Sequence, residues 1–284
     1  MKHKIKQLEK ISRFGALATL TTLTTYLYGI KPGEDRGRRM KPFEETYIAH
    51  RGFFKNGTDH PENSMPAFRR AIARGFGIEM DVQMTTDGHL MVFHDENMKR
   101  MCGTNRKLWM SRFREVRQET LLDSGEHIPE LQTVLNVIAG KVPLVLEIKP
   151  DGDWKKTARE VAKVMDQYHG IWCMESFHPL ITAWFRFHRP YVLRGQLATN
   201  FFKDEENQPR IAQFVLSNLM FNFLARPDFI SYNHKYFNQF SYRLIRKLFP
   251  VENFAWTIHT PEELAQARKH FQVFIFDGFD PTKS

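Results

Sequence analysis

The sequence predicts an α/β protein: a (β/α)8 barrel of parallel strands ringed by helices and preceded by an N-terminal hydrophobic helix. Three observations predict it. Short apolar runs alternate with amphipathic stretches throughout residues 42–284. Eight of those runs have the length and composition of strands. The chemically versatile polar residues fall at the ends of those runs rather than at random. Strand–helix alternation requires parallel pairing, and eight such strands close naturally into a barrel of roughly 250 residues.

The first element lies outside that repeat. Residues 14–30, FGALATLTTLTTYLYGI, carry no charge. As a helix they would be about 26 Å long, short for a bilayer core of roughly 30 Å. Five threonines (Thr19, Thr21, Thr22, Thr24 and Thr25) weaken the hydropathy, and Tyr26 and Tyr28 sit near one end, as interfacial aromatics do. A membrane anchor is the leading expectation, so the protein is expected to be membrane-associated. A helix lying on the membrane surface or packed on the barrel is the next, and a cleaved signal peptide the third. Both flanks are basic, so the side of the membrane is not indicated. Pro32-Gly33 ends the helix, and Glu34–Lys41 reads as a solvated linker, which divides the chain into 1–41 and 42–284.

The net charge of +9 belongs mostly to that first segment. Residues 1–41 hold ten Lys/Arg against three acids, or +7; the rest of the chain carries only +2. This argues against nucleic acid and for an anionic lipid surface as the partner of residues 1–41. Cys102 and Cys173 lack metal-ligand spacing and read as structural thiols. The 25 phenylalanines read mainly as core and helix-to-sheet packing.

The barrel strands are expected at Tyr47–Ala49, Ile78–Val82, Leu144–Glu147, Ile171–Glu175, Val192–Leu197, Phe229–Tyr232, Asn253–Thr257 and Val273–Phe276, with Leu90–His94 as an extra strand after the Asp87-Gly88 turn. Helices are expected over Ser64–Arg74, Leu131–Ala139, Trp154–Tyr168, Leu180–His188, Tyr242–Leu248 and Pro261–His270. His50 then ends the first strand, Glu79 and Asp81 lie in the second, Glu147 ends the third, and Trp256 is near the end of the seventh. All of them belong to the C-terminal mouth, where barrel active sites form.

Glu79 and Asp81 are two apart on a strand and so share a face. Glu147 arrives from the neighbouring strand. Three carboxylates in a barrel interior are costly without a cation. Hard oxygen ligands without cysteine suit Mg²⁺ or Ca²⁺ rather than zinc. The structural alternative is an ion-pair network with Arg51 and Lys149. His50 and His94 are the candidate general acid and base. Arg51 offers a planar fork to two phosphate oxygens and Lys149 a point charge. Glu62 is placed to line the site or orient a ligand. Asn63 reads as a helix cap, and Gly52 and Gly88 as turn residues. Trp256 reads as a stacking surface for a substrate alcohol or as core. His60, His178, His234 and His259 show no partner pattern.

The ordered series His50-Arg51-Gly52, Pro61-Glu62-Asn63-Ser64, Glu79-Met80-Asp81-Val82, Thr86-Asp87-Gly88, His94-Asp95, Ile128-Pro129-Glu130-Leu131, Glu147-Ile148-Lys149, Ser176-Phe177 and Ala255-Trp256-Thr257 resembles the glycerophosphodiester phosphodiesterase family. The likeness runs over residues 45–281. Its last segment departs from the family's closing Thr-Asp-Pro, with Phe279 before Asp280-Pro281. The resemblance implies a TIM barrel with a small insertion after the second strand, fitted here by residues 95–127. It implies one divalent cation on Glu79, Asp81 and Glu147, with His50 and His94 as acid and base. It implies hydrolysis of a glycerophosphodiester to glycerol 3-phosphate and an alcohol, within lipid metabolism. A lysophospholipase D, a phospholipase or a teichoic-acid-type phosphodiesterase on the same barrel is the alternative enzyme. An apolar rim of Phe201, Phe202 and Leu219–Leu224 would favour a lipid tail. A retired barrel serving as a membrane-anchored scaffold is the non-enzyme alternative; no expected ligand or histidine is missing.

Overall fold

The computed structural model describes residues 17–33, 37–204 and 208–283. Eight parallel strands close a barrel: β1 (Ile48–Ala49), β2 (Gly77–Met84), β4 (Leu144–Ile148), β5 (Trp172–Ser176), β6 (Leu193–Ala198), β7 (Phe229–Asn233), β8 (Glu252–Ile258) and β9 (Val273–Phe276) pair in that order, and β9 returns to β1. The extra strand β3 (Leu90–Val92) pairs antiparallel with β2 outside the ring. Helices follow most strands and cover the outside, as the alternation predicts.

Period-two alternation sorts the strand residues between two cores. Outward residues such as Ile78, Met80, Val82, Leu144, Leu146 and Ile148 pack beneath the helices. Inward residues form two layers. The lower one is apolar: Ile48, Val145, Cys173, Leu193, Phe229 and Phe254 meet inside the ring. The upper one is polar and holds Glu79, Asp81, Glu147 and Glu175. Register fixes it, since Asp81 stands beside Glu147 and Glu147 beside Glu175. Gly195 opposes Glu175 on β6. A Cβ there would lie 2.2 Å from the Phe229 ring, so that ring fills the lower layer only because residue 195 is glycine.

The solvated linker is corrected. Residues 37–41 belong to a helix, Gly37–Glu44, whose Met40 and Phe43 are wholly buried at the base of the barrel interior. Two large side chains three apart on one helical face close the end that the strands leave open. A boundary at residue 42 falls inside this plug. Phe43→Ala is expected to cost about 3–5 kcal/mol of stability through the cavity it opens, read as a lowered urea midpoint.

The N-terminal hydrophobic stretch is described only in part. Residues 17–30 are helical, while 14–16 and the basic residues before them lie outside the described residues. Among the described residues no helix is long and apolar enough to cross a membrane. The C-terminal part of this helix packs on the barrel. Ile30 is buried in the outer core, and Tyr26 Oη meets Ser241 Oγ at 2.6 Å. Asn222 Nδ2 donates to the Ile30 carbonyl.

Residues 95–127 form the expected excursion and carry their own small core, in which Met98, Met101, Leu108, Val116 and Leu121 pack against Met91 and Phe93.

Candidate active site

The mouth of the barrel encloses a cavity of about 110 Å³ lined by His50, Arg51, Glu79, His94, Glu147, Glu175 and Trp256, with Phe177 and Leu197 on its apolar side. Every predicted site residue except Glu62, Asp81 and Lys149 lines it directly, and those three contact its walls.

Glu79, Asp81 and Glu147 converge as their strand positions require. One carboxylate oxygen from each lies within 4.8 Å of the others, and all three residues are buried. Burial and the charges of Asp81, Glu147 and Glu175 push the Glu79 carboxyl well above its usual range. Burial also pushes Glu147 and Glu175 up. At Asp81 burial acts in the same direction, but Lys149, His94 and Arg51 outweigh it and hold the carboxyl well below its usual range. Lys149 Nζ lies 2.9 Å from Glu147 Oε1 and 3.1 Å from Asp81 Oδ1. The ion-pair network is therefore present, yet among the described residues neither Glu79 nor Glu175 has an ion-pair partner. An excess of converging hard oxygens is what a divalent cation requires, so the residues fit one.

Backbone shape holds this cluster. Arg51 and Asn63 both adopt the left-handed region, at φ 53° and 55°. The turn at Arg51 aims its N–H at Glu79 Oε2, 2.9 Å away. Asn63 Nδ2 donates to Asp81 Oδ2 at 2.9 Å. The helix cap expected of Asn63 is supplied instead by Ser64, whose side chain accepts from the Ala67 N–H.

The two histidines share one pattern. His50 Nδ1 donates to Asp277 Oδ2 at 2.9 Å, and His94 Nδ1 to Asp95 Oδ1 at 2.8 Å. With Nδ1 tied in this way, Nε2 is the exchangeable position of each neutral ring. Burial and the Arg51 charge lower the His50 pKa below 6.5, against the opposing pull of Asp277.

Glu62 holds two guanidinium groups at the rim. It accepts from Arg51 Nη1 at 2.7 Å, from Arg100 Nη1 and Nη2, and from Asn56 Nδ2. Arg100 also pairs with Asp95. His94, Asp95, Arg100, Glu62 and Arg51 thus form one chain of charge-assisted contacts along the rim. Burial raises the Glu62 pKa, but Arg100, Arg51 and Asn56 overcome it and bring the carboxyl down to about 2 from 4.5. A depressed carboxyl contributes stability that is complete above 4.5 and lost as pH falls towards 2. Wild type is expected to lose about 3 kcal/mol more than Glu62→Gln between those limits, measured by urea unfolding across pH.

Arg100, Glu175 and Asp277 escaped the sequence reading. Arg100 sits in the excursion without a motif of its own. Glu175 carries a legible signal, since it is an acid inside an apolar strand and two residues beyond Cys173 on the same face. At the C-terminus Asp277, not Asp280, reaches the mouth. Asp280 pairs with Arg74 on the outside. Asp277 Oδ1 accepts from His259 Nδ1 at 2.5 Å, so His259 has a partner after all. Trp256 combines both readings: its ring lines the cavity, packs on the lower core and meets Phe177 edge-on at 5.5 Å.

The glycerophosphoryl diester phosphodiesterase family matches residues 50–200, just over half of the chain. The chain belongs to this family. The matched span carries all the site residues described above except Trp256, His259 and Asp277. A glycerophosphodiester phosphodiesterase of Caldanaerobacter subterraneus subsp. tengcongensis is 44% identical over 113 residues, 36% of this chain and 44% of that protein. A human lysophospholipase D is 38% identical over 69 residues, 24% of this chain and 21% of that protein. The chain therefore spans less than half the length of either curated relative. An Oleispira antarctica phosphodiesterase, solved with the product sn-glycerol-3-phosphate, shares the fold at TM-score 0.67 and 21% identity, covering 82% of this chain and 92% of that one. As a member of the glycerophosphoryl diester phosphodiesterase family, the chain carries at its barrel mouth an acidic cluster suited to a divalent cation.

Proposed function

We propose that the protein hydrolyses glycerophosphodiesters to glycerol 3-phosphate and an alcohol, using one divalent cation, Mg²⁺ or Ca²⁺, held by Glu79, Asp81 and Glu147. The observation that carries this reading is the convergence of those three buried carboxylates between two histidines whose Nδ1 atoms are each tied to a carboxylate. A bound cation would polarise a phosphoryl oxygen and screen the diester's charge. Arg51 and Lys149 face the same mouth and bind phosphate oxygens. One histidine takes a proton from the attacking hydroxyl or water through Nε2; the other gives one to the departing alkoxide. Trp256 and Phe177 form the wall against which the alcohol part rests.

That wall is apolar, and it favours a lysolipid as a second substrate class. Two members of the predicted lipid rim, Phe201 and Leu219, are buried in the structure, while Phe202, Phe221 and Phe223 remain exposed. A soluble headgroup diester is therefore the first substrate to test. The protein is membrane-associated in this reading, through its N-terminal segment.

The test is glycerol 3-phosphate release from glycerophosphocholine by the full chain. Release is expected to stop with EDTA and return with Mg²⁺ or Ca²⁺. Release that persists through exhaustive chelation would overturn the metal assignment. No release with any metal from folded protein would overturn the reaction.

A further inference from the structure

We infer that the free half of the N-terminal helix, with the apolar rim beside it, docks the mouth of the barrel onto an anionic lipid surface. This deepens the proposed membrane association and rests on it, but replaces a spanning anchor with shallow interfacial contact.

The direction of the helix can be traced through hydrogen bonds. At the mouth end of β6, Asn200 Nδ2 donates to Gln239 Oε1; Gln239 Nε2 donates to Asn218 Oδ1. Asn218 Oδ1 accepts from Ser241 Oγ, which meets Tyr26 Oη. Tyr26 is therefore at the level of the mouth. Further along the chain, the Lys31 carbonyl accepts from Arg226 and Gly33 N–H donates to Pro227, just before β7 begins at the base. Residues 26–33 thus descend the barrel wall. Residues 17–25 run the other way, past the mouth, and every one of them is exposed.

A helix of this kind is poorly suited to water. Nine residues, about 13 Å, gain no tertiary burial, and Thr-rich sequence has low helix propensity. Leu17, Leu20 and Leu23 are each at least half exposed. The threonine hydroxyls turn inward: Thr21, Thr22 and Thr24 donate to the carbonyls of Leu17, Ala18 and Leu20, each at 2.9 Å. This bonding spends those three hydroxyls on the helix itself and leaves a more apolar surface, as a lipid environment favours. The rim beside it is also apolar, with Phe202, Ile211, Phe214 and Phe240 between about half and four-fifths exposed.

Charge selects the occupant. Lys2, Lys4, Lys6, Lys10 and Arg13 precede the helix in sequence, and the exposed Lys203 and Arg210 adjoin Phe202 and Ile211. An apolar helix flanked by basic residues lies in the interface of an anionic leaflet. Docked this way, the mouth faces the bilayer, and its substrate is a phosphodiester presented at the lipid surface.

The experiment uses the full chain with phosphatidylcholine vesicles, with and without phosphatidylglycerol. Co-sedimentation is expected with the anionic vesicles and to weaken as salt rises. Leu20→Glu with Leu23→Glu, and separately Phe214→Glu, are expected to weaken it about tenfold or more. Neither variant is expected to change glycerophosphocholine turnover, while hydrolysis of vesicle-borne lysophosphatidylcholine falls with binding. Variants that bind like wild type, a protein that ignores both vesicles, or one that resists alkaline extraction as a spanning helix does would each overturn the inference. Loss of all turnover with vesicle binding intact would instead count against the hydrolase reading alone.

Discussion

Glu79→Gln and His94→Ala are each expected to lower glycerophosphocholine turnover by about 10²- to 10⁴-fold, for different reasons that two further measurements separate. Gln at residue 79 keeps an oxygen for the Arg51 N–H but removes one of the three converging charges. Its cost should therefore appear first in the cation concentration needed for half-maximal rate. His94→Ala leaves the carboxylates intact and should leave that concentration unchanged.

Stability gives the second separation. Burial and the neighbouring acids push the Glu79 carboxyl above 4.5. A raised carboxyl favours the folded state at low pH, and that advantage is lost as pH rises from 4.5 towards the folded value. Without cation at neutral pH, wild type carries this penalty and Glu79→Gln does not, so the variant should melt at the same temperature or higher. A saturating cation should raise the melting temperature of wild type and raise that of the variant far less. Full activity in both variants would sink the site assignment. A variant that melts much lower would show that Glu79 is structural.

Most of the barrel was legible because its physics is periodic. Each of the eight strands announces itself by a short apolar run, and period two then puts Glu79 beside Asp81 and Glu147 beside Lys149 on the inner face. Conversely, Met40 and Phe43 look unremarkable within a basic stretch, and only closure of the ring creates the hole they fill. Arg100 was invisible for a similar reason. Its two carboxylate partners, Glu62 and Asp95, come from separate loops that only the fold brings together. Hydropathy records the apolar content of the N-terminal segment, not where it goes: Tyr26, Leu27 and Ile30 spend theirs on the barrel, which only the fold shows.

Asp277→Asn should separate positioning from chemistry. Asp277 lies between two rings, accepting from His50 through Oδ2 and from His259 through Oδ1. Asn offers one acceptor oxygen where the carboxylate offers two, and its NH2 group, placed toward His50, cannot accept from Nδ1–H. The His50 ring then loses both its fixed tautomer and its orientation. We expect kcat to fall about 10²- to 10³-fold with little change in KM, since the phosphate contacts proposed for Arg51 and Lys149 are untouched. His259→Ala breaks only the outer contact and should cost less than tenfold. The pH profile decides which role His50 plays. Burial and Arg51 hold its pKa below 6.5 while Asp277 pulls it up, so removing Asp277 lowers it further. If His50 is the base in the rate-limiting step, the acidic limb of the profile moves to lower pH. If it is the acid, the basic limb moves to lower pH instead. An unchanged profile with an unchanged rate would mean that the Asp277 contact has no part in the reaction, and that His94 with its Asp95 partner carries the proton transfers alone.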